Sequence, residues 1–230
     1  DDELLELYLE GEELPGDRVA EALALAVAAG DVVPVMPVCA VSGIGMQSLM
    51  NEITRLLPSP LDREHELVEG SCVTDPAGPL VVHVFKTTAD PFVGKLSVFR
   101  VYRGVIKSNS EVWNSGRETA ERIGQLYLPR GKSQENVAEV SAGDIGAIGK
   151  LSETLTGDTL CLREQPVVFE AIDFPVGFYR VAVSPATKAD LDKMSTSLAR
   201  IAEEDPTLHY SRDPDTAESL ISGLGDAQID

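Results

Sequence analysis

Basic side chains recur every few positions along residues 85–107, a stretch that begins "FKTTADPFVGKLSVFRVYRG". They are Lys86, Lys95, Arg100, Arg103 and Lys107. Lysine and arginine both bind phosphate oxygens, arginine through its planar fork and lysine as a point charge. Cations spaced along an extended segment could therefore contact successive phosphates of a nucleic-acid backbone.

The charge of this stretch is opposite to that of the whole chain. The 230 residues carry a net charge of −19, whereas residues 86–132 hold nine basic and four acidic side chains. A protein this acidic is not expected to bind free nucleic acid, and DNA is not predicted as a partner. A local basic surface can still meet phosphate when other contacts bring it there. A solvated sheet face with scattered cations explains the pattern equally well.

The sequence offers no catalytic motif. The segment "RGKSQ" at 130–134 resembles the end of a phosphate loop, but position 126 is Leu where that motif requires Gly, and no helix is predicted after it. Ser42 in "VSGIG" lacks the flanking residues of a nucleophile elbow. We therefore predict no catalytic residue within the chain.

Metal sites and disulfides are not predicted either. The three histidines lie on separate predicted segments without the spacing of a zinc site, and the three cysteines are far apart without a CxxC pair. No run approaches the roughly 20 apolar residues of a membrane-spanning helix. Because the acidic N-terminus is also unlike a secretory signal, we expect a cytoplasmic protein with no membrane partner.

Residues 1–60 are predicted to be the last part of an α/β unit. The run "GDRVAEALALAVAAG" predicts a buried helix with Asp17 as its N-cap and Gly30 as its C-terminal stop. The β-branched run "DVVPVMPVCAVSG" at 31–43 predicts a buried strand that ends in a loop. A second amphipathic helix follows over "GMQSLMNEITRLL" and stops at "PSP".

Residues 61–165 are predicted to form a closed β-barrel, because at least six short extended runs follow one another at close spacing. A turn begins at Asp90-Pro91 and ends at Gly94. In the strand after it, period-two alternation predicts that Phe99 and Val101 point inward and that Arg100 points outward beside Tyr102.

Residues 166–230 are predicted to form a third domain. "FYRVAVSPA" predicts a strand, and "TKADLDKMSTSLARIAEEDP" predicts a helix that opens near Thr187 and stops before Pro206. Two further strands flank an Asp-Pro-Asp turn. The order β, α, β, β is that of a ferredoxin-like domain without its last helix and strand.

Several segments in this order resemble a translational GTPase of the elongation factor G type. They include "VVPVMPVCAVSGIGMQSLM", "FKTTADPFVGKLSVFRVYRG", "AGDIGAIGKLSETLTGDTL" and "SLARIAEEDPTLHYSRDPDTAESLISGLGD". The resemblance implies a multidomain α/β and β fold. Its parts are a C-terminal piece of a P-loop GTPase domain at 1–60, a translation-factor β-barrel at 61–165 and a partial ferredoxin-like α+β domain at 166–230.

The resemblance also implies a nucleotide. In such factors a Ser-Ala pair after the last strand of the G domain helps to hold the guanine base through its backbone, and here that pair reads Cys39-Ala40. The parent protein is expected to use GTP or GDP with Mg²⁺. The family's phosphate loop, switch segments and Asn-Lys-x-Asp loop would lie before residue 1, so this fragment alone is expected to bind no cofactor and to hydrolyse no GTP.

The implied partner is the ribosome, through small-subunit ribosomal RNA and ribosomal proteins, with the five basic residues of the hairpin facing the RNA. The implied function is to couple the GTP state to translocation or a related step. Residues 223–230 depart from the family's Gly-Met-Gly-Glu-Leu-His-Leu-Glu, which favours an elongation factor G-like paralogue. The alternatives are a ribosomal-protection or recycling factor of the same family and a nucleotide-independent protein-binding module.

Overall fold

The structure is a computed structural model that describes residues 2–90, 93–131 and 133–230. Two residues named in the sequence predictions, Pro91 of the turn and Lys132 of the basic segment, lie outside the described residues. The chain divides into two compact units, residues 1–63 and 64–230. None of the helices in the described residues is long and apolar enough to cross a membrane.

The first unit is helical. Its described elements are α1 (Asp2–Glu10), α2 (Gly16–Ala29), α3 (Met46–Leu56) and a 3-10 helix (Pro60–Asp62). Gly30 ends α2 in the left-handed conformation, as predicted. The predicted N-cap is wrong, because α2 begins two residues earlier than expected and Pro15 occupies the cap position. Asp17 lies in the first turn instead, where its charge complements the helix dipole.

Two further expectations for the first unit are wrong. The run after α2 forms no strand beyond an isolated bridge between Cys39 and Ile44, and Val35 and Val41 are 88% and 100% exposed. A strand needs a hydrogen-bonded neighbour, and the described residues of this unit supply none. The expectation of a buried helix is the second error, because α2 packs against α3 but buries none of its residues.

The second unit opens with twelve strands. They are β1 (Glu64–Glu66), β2 (Ser71–Val73), β3 (Val81–Asp90), β4 (Gly94–Arg103), β5 (Val105–Lys107), β6 (Glu111–Asn114), β7 (Thr119–Arg122), β8 (Leu126–Arg130), β9 (Ser133–Val137), β10 (Glu139–Ser141), β11 (Ile145–Gly149) and β12 (Thr159–Cys161). Eight form one antiparallel sheet in the order β7-β6-β12-β3-β4-β11-β8-β9, and β5 pairs with β10. Both sheets surround one apolar core, which confirms the predicted β-barrel domain.

The β3–β4 hairpin is the longest pair in the barrel. Phe99 and Val101 are fully buried in the core, whereas Arg100 is half-buried on the outer face with Tyr102, as the alternation predicts. Asp90 pairs with Gly94 at the turn. A register shift between Val84 and Lys86 interrupts the ladder, and such bulges re-aim the side chains beyond them.

A polar network holds the loop between β11 and β12. The carboxylate of Glu121 in β7 is buried and accepts hydrogen bonds from the amides of Glu153 and Thr154 at 2.8 Å and from the Thr154 hydroxyl at 2.9 Å. The amide of Ser152 completes the set at 3.3 Å. Asn114 then links the Thr154 hydroxyl to the carboxylate of Asp158. The loop therefore depends on a side chain that is distant in sequence.

The rest of the second unit is the partial ferredoxin-like domain. It comprises β13 (Tyr179–Val183), a 3-10 helix (Lys188–Asp190), α4 (Leu191–Glu204), β14 (His209–Arg212), β15 (Ser219–Gly223) and α5 (Asp226–Ile229). The strand order is β13-β15-β14, all antiparallel. Thr187 precedes the 3-10 helix rather than α4 itself, so the predicted helix opens with a tighter first turn.

Candidate functional site

Two of the five predicted RNA-facing residues lie on one surface of the barrel. Lys86 is exposed in β3 and pairs with Val98 of β4, and Arg100 lies two residues further along β4 on the same outer face. Diagonal neighbours of this kind lie about 7–8 Å apart at the backbone. Neither side chain forms an ion pair within the described residues. Lys86 and Arg100 therefore present two uncompensated cations on one face.

Lys107 extends the charge along the barrel. It lies at the end of β5 and its side chain is 67% exposed. Its ammonium is 4.0 Å from the Glu139 carboxylate on the paired strand β10, at the limit of an ion pair. An exposed pair at that distance contributes little, so the ammonium remains accessible to a phosphate.

Lys95 contacts another element instead. Its side chain is only 18% exposed, and its ammonium is 3.8 Å from the Glu203 carboxylate of α4. Lys95 thus joins the barrel hairpin to the helix of the partial ferredoxin-like domain. In this arrangement it is less available to RNA than Lys86.

The side chain of Arg103 is half-buried and lies against Gly78 and Asp75. Its Nε is buried and has no hydrogen-bond partner within the described residues. A Cβ on Gly78 would lie only 2.8 Å from that Nε and 3.0 Å from Oδ2 of Asp75, so only glycine leaves room for the guanidinium. Arg103 also partly offsets the effect of burial, which raises the pKa of the Cys72 thiol. The environment of Arg103 is that of a packing residue.

An aromatic cluster, defined as His65, His83, Tyr102 and Phe169, lies beside Arg100. The Tyr102 ring contacts Phe169 and His65 at centroid distances of 4.5 Å, and His83 stacks on Phe169 at 4.9 Å. The Arg100 guanidinium lies 5.8 Å from the Tyr102 ring centroid, within cation–π range. The cluster limits the directions that Arg100 can take. The sequence prediction placed Tyr102 beside Arg100 but missed its aromatic partners, which come from three separate segments.

His83 makes the stability of the barrel sensitive to mild acid. Burial lowers its pKa from 6.5, against smaller opposing effects of the Gly157 backbone and the Asp158 charge. Below pH 6.5 the unfolded chain takes up a proton that the folded chain resists, so stability falls as the pH falls from that value. We expect the free energy of unfolding to change by up to about 1.4 kcal/mol per pH unit, and by less in His83→Gln. Chemical unfolding at pH 7.5, 6.5 and 5.5 measures both.

The carboxyl groups with lowered pKa values titrate in a more acidic range. Asp62, Asp205 and Asp213 accept hydrogen bonds that lower the pKa of each carboxyl below its usual value of 3.8. Their stabilisation is lost only when the pH falls through those lower values. Equal slopes for the wild type and His83→Gln between pH 7.5 and 5.5 would therefore contradict the assignment to His83.

Cys39 and Ala40 lie in a tight loop of the first unit. The Cys39 amide donates to the Ile44 carbonyl at 2.9 Å, and the Cys39 carbonyl accepts from the Gly43 amide at 2.8 Å. Hydrogen bonds from the Ser42 hydroxyl and from the Ser42 and Val41 amides lower the pKa of the Cys39 thiol. The Ala40 amide has no acceptor within the described residues. A main-chain donor is thus free at the position where the resemblance implies a base contact.

The described residues contain no group of acidic, histidine or cysteine side chains that could hold a metal ion. A nucleotide-bound magnesium ion often takes most of its ligands from phosphates and water, with few from protein.

Comparisons with known proteins match both parts of the second unit. A family model for domain 2 of elongation factor Tu matches residues 94–161, and a model for domain III of elongation factor G matches residues 174–230. The crystal structure of ttk003000868 from Thermus thermophilus resembles the chain with a TM-score of 0.79 at 32% sequence identity. The match covers 100% of this chain and 33% of that one, so the chain spans one third of the length of that structure.

Proposed function

The chain belongs to the elongation factor G family of translational GTPases, and from this premise we propose that the protein binds the ribosome and couples its GTP state to translocation or a related step of elongation. The observation that carries the proposal is the pair of uncompensated cations, Lys86 and Arg100, on one outer face of a barrel in a chain of net charge −19. Small-subunit ribosomal RNA is the partner with the complementary charge. Lys107 extends this surface.

The nucleotide would be GTP or GDP with Mg²⁺. In this chain the free Ala40 amide, beside Cys39, would donate a hydrogen bond to the guanine base. Because such a contact uses the main chain, Cys at position 39 is compatible with it. These 230 residues contain no GxxxxGK[ST] motif that could hold the phosphate groups.

The partial ferredoxin-like domain would carry the nucleotide state to the barrel. The contact between Lys95 and Glu203 joins the hairpin to α4, and Thr156 Oγ1 bonds Thr87 Oγ1 at 2.9 Å in the adjoining loop. A change in packing around α4 would therefore be felt near the turn of the RNA-facing hairpin. Bound GTP can shift such an equilibrium only by its preference for one arrangement.

Sedimentation with 70S ribosomes tests the proposal. We expect the protein to pellet with ribosomes in the presence of a non-hydrolysable GTP analogue and far less with GDP, and binding to weaken as salt rises. Equal binding with both nucleotides would instead support a nucleotide-independent binding module. Failure to pellet in either state across the salt series would reject ribosome binding itself.

A further inference from the structure

The side chain of Gln228 joins three segments of the partial ferredoxin-like domain. Gln228 lies in α5, and its Oε1 accepts a hydrogen bond from the Leu224 amide at 2.7 Å. Its Nε2 donates to Oδ2 of Asp205 and to Oγ1 of Thr207, both at 2.7 Å. A glutamine amide has two donor hydrogens and one acceptor oxygen, so both ends of the side chain are used. We call these three hydrogen bonds the Gln228 tie.

The partners of the tie fix the direction of the Gln228 amide. Hydrogen bonds, first from the Thr207 hydroxyl and also from Gln228, lower the pKa of the Asp205 carboxyl, which is therefore ionised and can only accept. The backbone amide of Leu224 can only donate. Exchange of Oε1 and Nε2 would set oxygen against oxygen at one end and N–H against N–H at the other.

Gln228 packs directly on the backbone at the end of β15. A Cβ on Gly223 would lie 2.6 Å from Oε1 of Gln228 and 2.8 Å from Cδ2 of Leu208. Gly223 and Leu208 are both buried. A side chain at position 223 would therefore displace the Gln228 amide from its partners.

Asp205 ends the helix that contacts the barrel. It is the C-cap of α4, and its amide donates to the Ile201 carbonyl at 3.0 Å. Its Oδ1 accepts from the Thr207 amide at 2.9 Å and from the Thr207 hydroxyl at 2.6 Å. Glu203, two residues earlier, has its carboxylate 3.8 Å from the Lys95 ammonium of the hairpin. A contact that holds Asp205 therefore also holds the turn of α4 that meets the barrel.

We propose that Gln228 is a positioning residue that ties α5 to the last turn of α4 and thereby sets the contact between Glu203 and Lys95. This inference rests on the proposed function, in which that contact carries the nucleotide state to the barrel. It adds a residue more than 100 positions from the hairpin in sequence, which no local pattern connects to it.

The residue type at position 228 sets this chain apart from the elongation factor G motif, which has histidine there. A neutral imidazole carries a single N–H and cannot donate to both Asp205 and Thr207. An imidazole also changes its charge near a pH of about 6.5, whereas an amide does not titrate. Glutamine therefore gives this chain a tie that does not change with proton uptake at position 228.

Gln228→Leu removes the tie with little change in side-chain volume. We expect the affinity of the parent protein for 70S ribosomes with GDP to remain that of the wild type. The ratio of the affinity with a non-hydrolysable GTP analogue to the affinity with GDP should fall about fivefold. Gln165→Leu is the matched control, because Gln165 is exposed in the segment between β12 and β13.

Gln228→Glu separates positioning from a general loss of packing. The variant keeps the volume and the acceptor for the Leu224 amide, but at pH 7.5 it sets a second carboxylate against Asp205. Two carboxylates that share a site raise the pKa of one of them, and Asp226 and Asp230 on either side of position 228 add negative charge. Protonation of the introduced carboxyl would restore a donor to Asp205.

The expected result for Gln228→Glu is thus a pH-dependent rescue. The affinity ratio should be low at pH 7.5 and recover in part at pH 6.0, with each value compared with the wild type at the same pH. Gln228→Leu should stay low at both pH values, and Gln165→Glu should match the wild type at both. A ratio that is equally low at both pH values in Gln228→Glu would show that the hydrogen bond to Asp205 is not what matters.

Amide hydrogen exchange tests the tie without ribosomes. The Leu208 amide donates to the Asp205 carbonyl at 3.0 Å, so it reports on the turn that follows α4. In Gln228→Leu we expect faster exchange at the amides of Leu224, Asp205 and Leu208, and unchanged exchange in the buried strands of the barrel. Faster exchange at Leu224 alone would overturn the inference, because α4 would then be held without Gln228.

The outcomes distinguish this inference from the proposed function. If the wild type prefers the GTP analogue and both Gln228 variants keep the full preference, Gln228 is not a positioning residue and the proposed function stands. If the wild type binds ribosomes equally with both nucleotides, the proposed coupling fails. The exchange rates of Asp205 and Leu208 then decide by themselves whether Gln228 positions α4.

Discussion

Replacement of Glu121 by alanine is expected to destabilise the barrel by about 3–5 kcal/mol. The carboxylate is 4% exposed and accepts four hydrogen bonds, three of them from consecutive amides of the loop before β12. Hydrogen bonds to a buried charge contribute about 1.5–3 kcal/mol each in isolation, and removal of the acceptor leaves several donors unpaired at once.

The measurement is urea unfolding followed by the fluorescence of Trp113, the single tryptophan. Trp113 lies in β6, paired with Ala120 of β7, so it reports on the barrel and not on the helical first unit. Glu111→Ala on the same strand is the control, because Glu111 is exposed and its loss should change stability by less than about 0.5 kcal/mol. Glu121→Gln keeps the volume and one acceptor and should fall between the two. A loss below about 1 kcal/mol in Glu121→Ala would show that the loop does not depend on this carboxylate.

The sequence predicts the barrel hairpin well because each strand there has one buried and one exposed face. Phe99 and Val101 alternate with Arg100 and Tyr102, and that period of two alone assigns the inward side. The same rule was available for Arg103, which has the parity of Phe99 and Val101 and whose Nε is buried. The RNA-facing assignment of Arg103 stays a prediction, and this parity argues against it.

Other features depend on partners that no local pattern reveals. From the sequence alone, Glu121 looks like an exposed charged residue of a strand. Only the folded loop at 152–154 shows that its carboxylate is enclosed. Lys95 reads as a surface cation until Glu203 of α4 lies beside it. The predicted strand after α2 failed because a strand is defined by its neighbours, and the described first unit contains none. Local sequence patterns predict which face of a strand is buried, whereas contacts between residues distant in sequence decide what each face packs against.

Charge reversal at both Lys86 and Arg100 is expected to weaken ribosome binding by about 100-fold. The slope of log affinity against log salt should fall in magnitude by about 2. Each substitution with glutamate removes a phosphate contact and adds repulsion. Lys95 and Arg103 are left intact, since reversal at Lys95 would break the contact with Glu203 and reversal at Arg103 would bury a carboxylate beside Asp75.

The matched control reverses two cations elsewhere, Arg55 and Lys193, which are 51% and 82% exposed and lie in α3 and α4. Both double variants change the net charge by the same amount, so long-range repulsion from the ribosome is equal in the two. Urea unfolding of both variants verifies that the barrel is intact. If the two double variants lose the same affinity, the effect is one of net charge, and the outer face of the hairpin is not the RNA-binding surface. A large loss only in the Lys86 and Arg100 variant requires local contact, because the two double variants carry the same net charge.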